Sequence, residues 1–238
     1  MNRERTVTLK NRGSGKNPLL PGAHKRPIWR WSLLVTKITG IPTLTHKLNI
    51  IVGSTRPGRV GPIFAKWFVE FARQHGKFDP VLVDIAEFSL PLFDEPKHPR
   101  LGQYENAHTK RWSQTIAEGD AYVFVTPEYN SIIPAPLLNA ITYLSTEWNY
   151  KPAGFLSYGG VSGGLRAVES AKPLLAALKV VPIPEGVPVP GYPQFLTDGE
   201  FRPNELIING ATTMLDELDR WAGALGTLRS EVKTAAAA

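Results

Sequence analysis

The sequence predicts an α/β fold, a parallel sheet of five short strands with helices on both faces. Three observations lead there. Apolar and β-branched runs alternate with amphipathic stretches over residues 48–226. The run AYVFVT at Ala121–Thr126 is apolar without alternation, as in a strand buried on both faces. Unusual loops follow the first, third and fourth strands. In a 2-1-3-4-5 strand order they lie side by side, beyond the carboxyl ends where open sheets bind ligands.

The elements follow in order. Strand one is Leu48–Val52. Ile63–His75 puts Ile63, Phe64, Trp67, Phe68 and Phe71 on one helical face, with Pro62 suited to the first turn and Gly76 to the carboxyl cap. Strand two is Pro80–Ile85, followed by a proline-rich loop, Leu90–Arg100. A helix over Glu105–Glu118 turns Trp112 and Ile116 inward and ends at Gly119. Strand three precedes a helix over Pro136–Thr146, then strand four, Ala153–Ser157. A glycine-rich turn, Tyr158–Gly164, opens a helix that runs to about Leu178. Strand five spans Lys179–Ile183, a proline-rich loop Pro184–Arg202, and a last helix Asn204–Gly226. The tail Thr234–Ala238 reads as unstructured.

Composition narrows the class. The 238 residues are 42% hydrophobic and 20% charged, right for one globular domain with extensions. No apolar run approaches the roughly 18 residues that span a bilayer. Cysteine is absent, which removes disulfides, thiolate metal sites and cysteine nucleophiles, and fits a cytoplasmic location. The net charge of +6 is unevenly spread. Residues 1–47 hold ten Lys/Arg and one acid, so the remaining body carries −3. A nucleic-acid binder needs its basic patch on the folded body, so neither nucleic acid nor membrane is an expected partner. Residues 1–46 have the composition of a disordered extension, with a transit peptide or a nucleic-acid tether as alternatives. The domain is expected over 47–230, with a disordered 231–238 tail.

Loop one, Gly53–Gly61, reads GSTRPGRVG between a strand and a helix. Such a loop offers backbone N–H groups and a helix dipole to an anion, and Ser54, Thr55, Arg56 and Arg59 add side-chain donors. An ordinary Gly/Pro turn with solvated arginines is the alternative. It lacks the Gly-Lys-Ser/Thr end of a Walker A loop and the G-x-G-x-x-G spacing of dinucleotide folds. Loop two, Thr126–Ser131, offers flat surface from Pro127 and Tyr129 and an amide edge from Asn130, with a plain turn before a helix as the alternative; Glu128 reads equally as a ring neighbour or as a solvated or capping carboxylate. Loop three, Ser157–Gly164, has four glycines in eight residues, which permits close backbone approach or a plain flexible linker.

Together GSTRPGRVG, TPEYN and YGGVSGG, with LPLFDEP between them, resemble the NADPH-dependent FMN reductase family over about Leu48–Arg229. That resemblance implies a flavodoxin-like three-layer sandwich and FMN as cofactor. Ser54, Arg56, Arg59, Val60 and Gly61 would hold the FMN phosphate. Pro127, Glu128, Tyr129 and Asn130 would line the isoalloxazine and ribityl chain. Ser157, Gly159, Gly160 and Gly163 would meet the pyrimidine end. Val60-Gly61 stand where many relatives place Ser or Asn, shifting one phosphate contact to backbone N–H or Arg59.

The family's activity implies hydride transfer from NADPH or NADH to the flavin and on to a quinone, free flavin, azo compound or similar small acceptor. The cycle would be ping-pong, with no obligatory side-chain acid or base. A flavin-binding electron carrier or redox sensor without a nicotinamide site is the alternative; such carriers are strongly acidic, unlike this body. No metal constellation emerges, and His98 and His108 read as surface residues. A homodimer or homotetramer is expected by resemblance. Leu137–Leu144, with Trp148 and Tyr150, would form its interface or, equally, part of the monomer core.

Overall fold

The computed structural model describes residues 45–237. The expected basic extension lies outside them up to Leu44. Five parallel strands form one sheet: β1 (His46–Val52), β2 (Phe78–Asp84), β3 (Ala121–Pro127), β4 (Pro152–Gly159) and β5 (Val181–Pro190). Their order is β2-β1-β3-β4-β5, the flavodoxin-like arrangement. Five helices connect or follow them: α1 (Gly61–His75), α2 (Ala107–Glu118), α3 (Ala135–Thr142), α4 (Leu165–Ala177) and α5 (Glu205–Ala237).

The period of two along each strand separates two cores. Leu48, Ile50 and Val52 of β1 face one side with Ala121, Val123 and Val125 of β3. Phe64, Phe68 and Ala72 of α1 and Met214, Leu215 and Leu218 of α5 complete that core. Ile51, Tyr122, Phe124 and Phe155 face the other side, against Trp112 and Ile116 of α2, Leu137 and Ile141 of α3 and Ala171 and Leu175 of α4. Of the hydrophobic face found on α1, Phe64 and Phe68 are buried and Ile63, Trp67 and Phe71 pack half-buried against that core, whereas Leu206 and Trp221 of α5 are exposed. Trp112 and Trp148, both fully buried, donate their indole N–H to the carbonyls of Ala140 and Ile141.

Some boundaries differ. β1 starts at His46, inside the range assigned to the extension. Strand five continues through Pro182, Pro184 and Pro188 to Pro190, taking in the first seven residues of the expected loop. It is the edge strand, where a residue without an N–H can face outward without breaking the ladder. The rest of that stretch folds as a 3-10 turn, Tyr192–Phe195, and a small antiparallel pair, β6 (Leu196–Thr197) and β7 (Glu200–Phe201). α3 stops at Thr142, and a separate 3-10 turn covers Thr146–Trp148. α5 passes Gly226 and is helical to Ala237, so the tail read as unstructured is helical that far; alanine is the strongest helix former.

Of the two expectations for Leu137–Leu144 and Trp148, interface or monomer core, the core is the one seen. Leu137, Ile141, Leu144 and Trp148 are at most 1% exposed in the single chain, hence core. On that stretch Leu138 is the large apolar side chain left exposed.

Candidate flavin-binding site

Loop one leaves β1 at the carboxyl edge of the sheet and enters α1. Pro57 and Gly58 turn it: Gly58 has φ +72°, and the Arg59 N–H donates to the Arg56 carbonyl at 3.1 Å. Pro at the second position and a positive-φ glycine at the third are the residues a type II turn demands. The turn delivers the chain to Val60, the residue before α1, which offers no side-chain cap; no acid lies in the first turn. The helix therefore starts with unclaimed positive character.

Around that start the packing is close. A Cβ on Gly61 would lie 3.0 Å from both Ser54 Oγ and the Tyr158 hydroxyl, so any larger residue would have to push these side chains aside. Ser54 Oγ is buried and lacks a partner of good hydrogen-bond geometry. A buried hydroxyl left so is costly unless something completes it. Burial pushes the Tyr158 phenol up to about 12, with Ser54 and Arg59 pulling the other way. Tyr158 stacks on Phe64, ring centroids 4.6 Å apart.

Loop two forms a tight turn. Tyr129 and Ile132 exchange backbone hydrogen bonds of 3.0 and 3.2 Å, with Asn130 and Ser131 between them at φ +51° and +69°. Two left-handed residues at the centre mark a type I′ turn, which asparagine tolerates well. The turn places Asn130 at an exposed tip and Tyr129 back over loop one. There the Arg56 guanidinium sits 5.9 Å from the Tyr129 ring centroid. Glu128 points instead toward loop three. Its carboxylate accepts from Ser162 Oγ at 2.8 Å, from the Arg166 N–H at 3.1 Å and from the Arg166 guanidinium at 3.2 Å. Burial opposes the charge, but those donors prevail and hold Glu128 below the usual glutamate range. These bonds show the capping carboxylate, and Glu128 also lines the cleft, so its place beside a ring stays open.

Loop three closes on itself. Ser157 Oγ, buried, donates to the Gly163 carbonyl at 2.8 Å. Gly163 and Gly164 have φ of +60° and +85°, and Cβ atoms there would strike Pro190 N at 3.0 Å and Tyr158 N at 2.8 Å. These residues shape the loop. Gly159 and Gly160 form its open lip, and the Gly160 carbonyl accepts from the Gly191 N–H at 2.9 Å.

The three loops meet around one cleft of about 220 Å³. Arg56, Arg59, Val60, Pro127, Glu128, Tyr129, Gly159 and Gly160 line it, together with Gly58, Tyr158 and Tyr192. Of the expected contacts, Ser54, Gly61, Asn130, Ser157 and Gly163 do not line it. Ser54 and Gly61 lie behind Val60 at the α1 start; Asn130 makes the turn; Ser157 and Gly163 fasten loop three. These last three also hold their loops in shape, through the bonds and backbone angles just given. Tyr158 sits at the head of YGG and Tyr192 on the strap after β5, which pure loop character in Pro184–Arg202 concealed. Asp84, at the end of β2, was also missed: it binds Arg59 through two 2.6 Å contacts. In the observed order β2 adjoins β1, so its last residue lies next to loop one.

A larger cavity, about 560 Å³, lies on the other side of loop one. It is lined by Thr55, Ile85, Ala86, Ser89, Leu90 and Leu92 and by Ala135, Pro136, Asn139 and Ala140 of α3. It has no charged side chain, so the smaller cleft is the one suited to an anion. Among the described residues no group of three or more His, Asp or Glu could hold a metal ion, and no helix is long and apolar enough to cross a membrane.

The fold and cleft define a class: a flavodoxin-like protein with a loop suited to an anion beside two loops suited to a planar ring. Comparison with known proteins gives the family. The NADPH-dependent FMN reductase family matches residues 46–194, and the chain belongs to it. An NAD(P)H-dependent FMN reductase of Schizosaccharomyces pombe is 43% identical over 123 residues, 51% of this chain and 62% of that enzyme, so the chain spans less than two thirds of that relative. An NAD(P)H-dependent FMN reductase of Saccharomyces cerevisiae is 34% identical over 163 residues, 60% of this chain and 85% of that enzyme. The solved structure of an NAD(P)H:acceptor flavoenzyme from Paracoccus denitrificans superposes with a TM-score of 0.59 at 22% identity, over 75% of this chain and 98% of that one; it shows the shared fold.

Proposed function

We propose that the protein is an FMN-dependent NAD(P)H oxidoreductase that passes reducing equivalents to a small acceptor such as a quinone, free flavin or azo compound. One observation carries this: the uncapped start of α1 and Arg56 share a cleft with Pro127, Tyr129, Gly159 and Gly160. A phosphate end and a flat-walled end in one cleft fit a flavin mononucleotide. Buried Ser54 Oγ, still lacking a geometric partner, supports the fit at the phosphate end.

When bound, FMN supplies hydride acceptance and donation. The residues supply the rest. Arg56 and the α1 N–H groups neutralise the phosphate. Pro127 and Tyr129 offer one apolar wall. The lip at Gly159–Gly160 lets backbone donors approach a ring edge, because neither residue has a side chain to hold it off. Glu128 ties this lip to the opposite wall through Ser162 and Arg166. Alternating use of the cleft by nicotinamide and acceptor gives ping-pong kinetics. A cytoplasmic location suits a chain without cysteine. Self-association as a dimer or tetramer is assigned to the apolar face of Leu92, Phe93 and Leu138, each at least 41% exposed.

The test is the spectrum of the purified protein. Yellow protein that releases FMN on denaturation, bleaches anaerobically with NADPH or NADH and recovers its colour with a quinone is expected. Failure to take up added FMN overturns the proposal. Uptake without bleaching by either nicotinamide replaces it with a carrier or sensor. Sedimentation velocity of the Leu92→Glu/Leu138→Glu variant checks the self-association face, with a monomer expected.

A further inference from the structure

The two arginines of loop one do not stand in equivalent places. Arg59 is fastened. One of its terminal nitrogens, Nη1, donates to the Ser54 carbonyl and to Asp84 Oδ1, both at 2.6 Å; Nη2 donates to Asp84 Oδ2, also at 2.6 Å. Both hydrogens of Nη1 are thereby spent, and the fork of the guanidinium lies on the fork of the carboxylate. The pair is largely enclosed, with side-chain exposures of 21% for Arg59 and 11% for Asp84. Asp84 is itself held: Oδ1 also accepts the Ala86 N–H at 3.1 Å. Parallel pairing sets Asp84 opposite Val52, one residue before loop one begins. Arg56 differs in each respect. It is exposed, forms no ion pair among the described residues, and lies against the Tyr129 ring in the same cleft.

We infer that Asp84 is a positioning residue for the phosphate loop, holding Arg59 as a strut and leaving Arg56 as the cation that meets the phosphate. The inference rests on the flavin reading above for the identity of the ligand, but not for the strut. Its chemistry is direct. A carboxylate in bidentate contact cancels the Arg59 charge at short range, so the loop presents one unmatched cation where its sequence shows two. Arg59 keeps its Nε–H and one Nη2–H, enough for orientation but not for net charge. The third bond, to the Ser54 carbonyl, fixes the backbone from which Ser54 Oγ faces the start of α1. Removing either partner therefore disturbs the loop as a whole and the ligand only through it. Removing Arg56 acts chiefly on the phosphate, since its one other contact is the Tyr129 ring face.

The experiment compares FMN with riboflavin, which lacks the phosphate, in the full chain. Dissociation constants are measured by flavin fluorescence for wild type, Arg56→Ala, Arg59→Gln, Asp84→Asn and Asp84→Glu. Amide hydrogen exchange of residues 54–61 is followed in the ligand-free proteins. Arg56→Ala is expected to weaken FMN about tenfold or more while barely changing riboflavin, the size of one charge-assisted contact. Arg59→Gln and Asp84→Asn are expected to weaken both flavins by similar factors, keep the FMN-to-riboflavin ratio near wild type, and speed exchange across 54–61. Asp84→Glu should recover part of both. The inference is overturned if Arg59→Gln collapses the ratio as Arg56→Ala does, if Asp84→Asn tightens FMN alone, or if exchange at 54–61 is the same in Asp84→Asn as in wild type. A wild type that binds neither flavin sinks the flavin reading, and the exchange measurement still decides the strut.

Discussion

Arg56 and Tyr129, from loops that follow different strands, meet with the guanidinium 5.9 Å from the ring centroid. The contact closes one end of the cleft and joins its cationic and aromatic walls. Tyr129→Leu removes the flat face and the cation's partner together. It is expected to weaken FMN about tenfold, from loss of a stacking surface worth roughly 1–2 kcal/mol, and to raise the fluorescence of whatever flavin remains bound. Unchanged fluorescence and affinity place the ring elsewhere.

Glu128 gives a pH dependence of definite sign. Its folded-state pKa lies below that of an unfolded glutamate, since Ser162 and Arg166 outweigh burial. A depressed carboxylate adds stability that is complete above the unfolded pKa and disappears as pH falls through the folded one. Thermal melts should therefore lose stability on acidification below about pH 4.5, the ordinary glutamate value. Glu128→Gln should melt lower at neutral pH and show a flatter acid limb. Parallel acid limbs in the two proteins count against this account.

Gly164 tests the geometry of loop three. Its φ is +85°, and an added Cβ would sit 2.8 Å from the Tyr158 nitrogen. Backbone cannot yield there as a flexible side chain would. Gly164→Ala combines about 1–2 kcal/mol of left-handed strain with that clash. The expected result is a melting temperature lower by several degrees or more. Gly160→Ala, at a position with nothing within 4 Å, should melt like wild type and report only on flavin affinity.

Tyr192 forms the wall that the sequence pattern did not reveal. It stands edge-on to Tyr158 at 5.5 Å and to Phe64 at 6.1 Å. Tyr192→Ala is expected to raise the FMN dissociation constant severalfold and Tyr192→Phe to restore it, since the ring and not the hydroxyl makes these contacts. Isothermal titration with FMN distinguishes the two.

In the far core, Trp112→Ala should cost about 3–5 kcal/mol. It empties a fully buried indole site and strands the Ala140 carbonyl that its N–H satisfies. Urea unfolding followed by far-ultraviolet dichroism measures it.

The legible and illegible parts of the chain divide by the range of the cause. AYVFVT is buried on both faces because its residues are apolar at every position, a local property. Pro57-Gly58 and Gly76 declare their turns for the same reason, through fixed φ or freedom at positive φ. Asp84 and Tyr192 carried no local mark. One is an ordinary strand-end acid whose importance comes from β2 pairing with β1; the other lies among prolines that usually signal a loop. Asn130, Ser157 and Gly163 carry a second role that residue type did not announce: their donors and backbone angles shape the loops themselves.

The Gly191–Gly160 hydrogen bond bears on how the cleft comes into being. Tyr192 becomes available only after the ribosome has delivered β5, the last strand of the five-stranded sheet and one of its edges. The cleft therefore gains this wall after its three loops exist and before α5 is made. By the same token a protease that nicks the strap at Gly191–Asp198 would release ligand before it unfolds the sheet, leaving a colourless but folded protein.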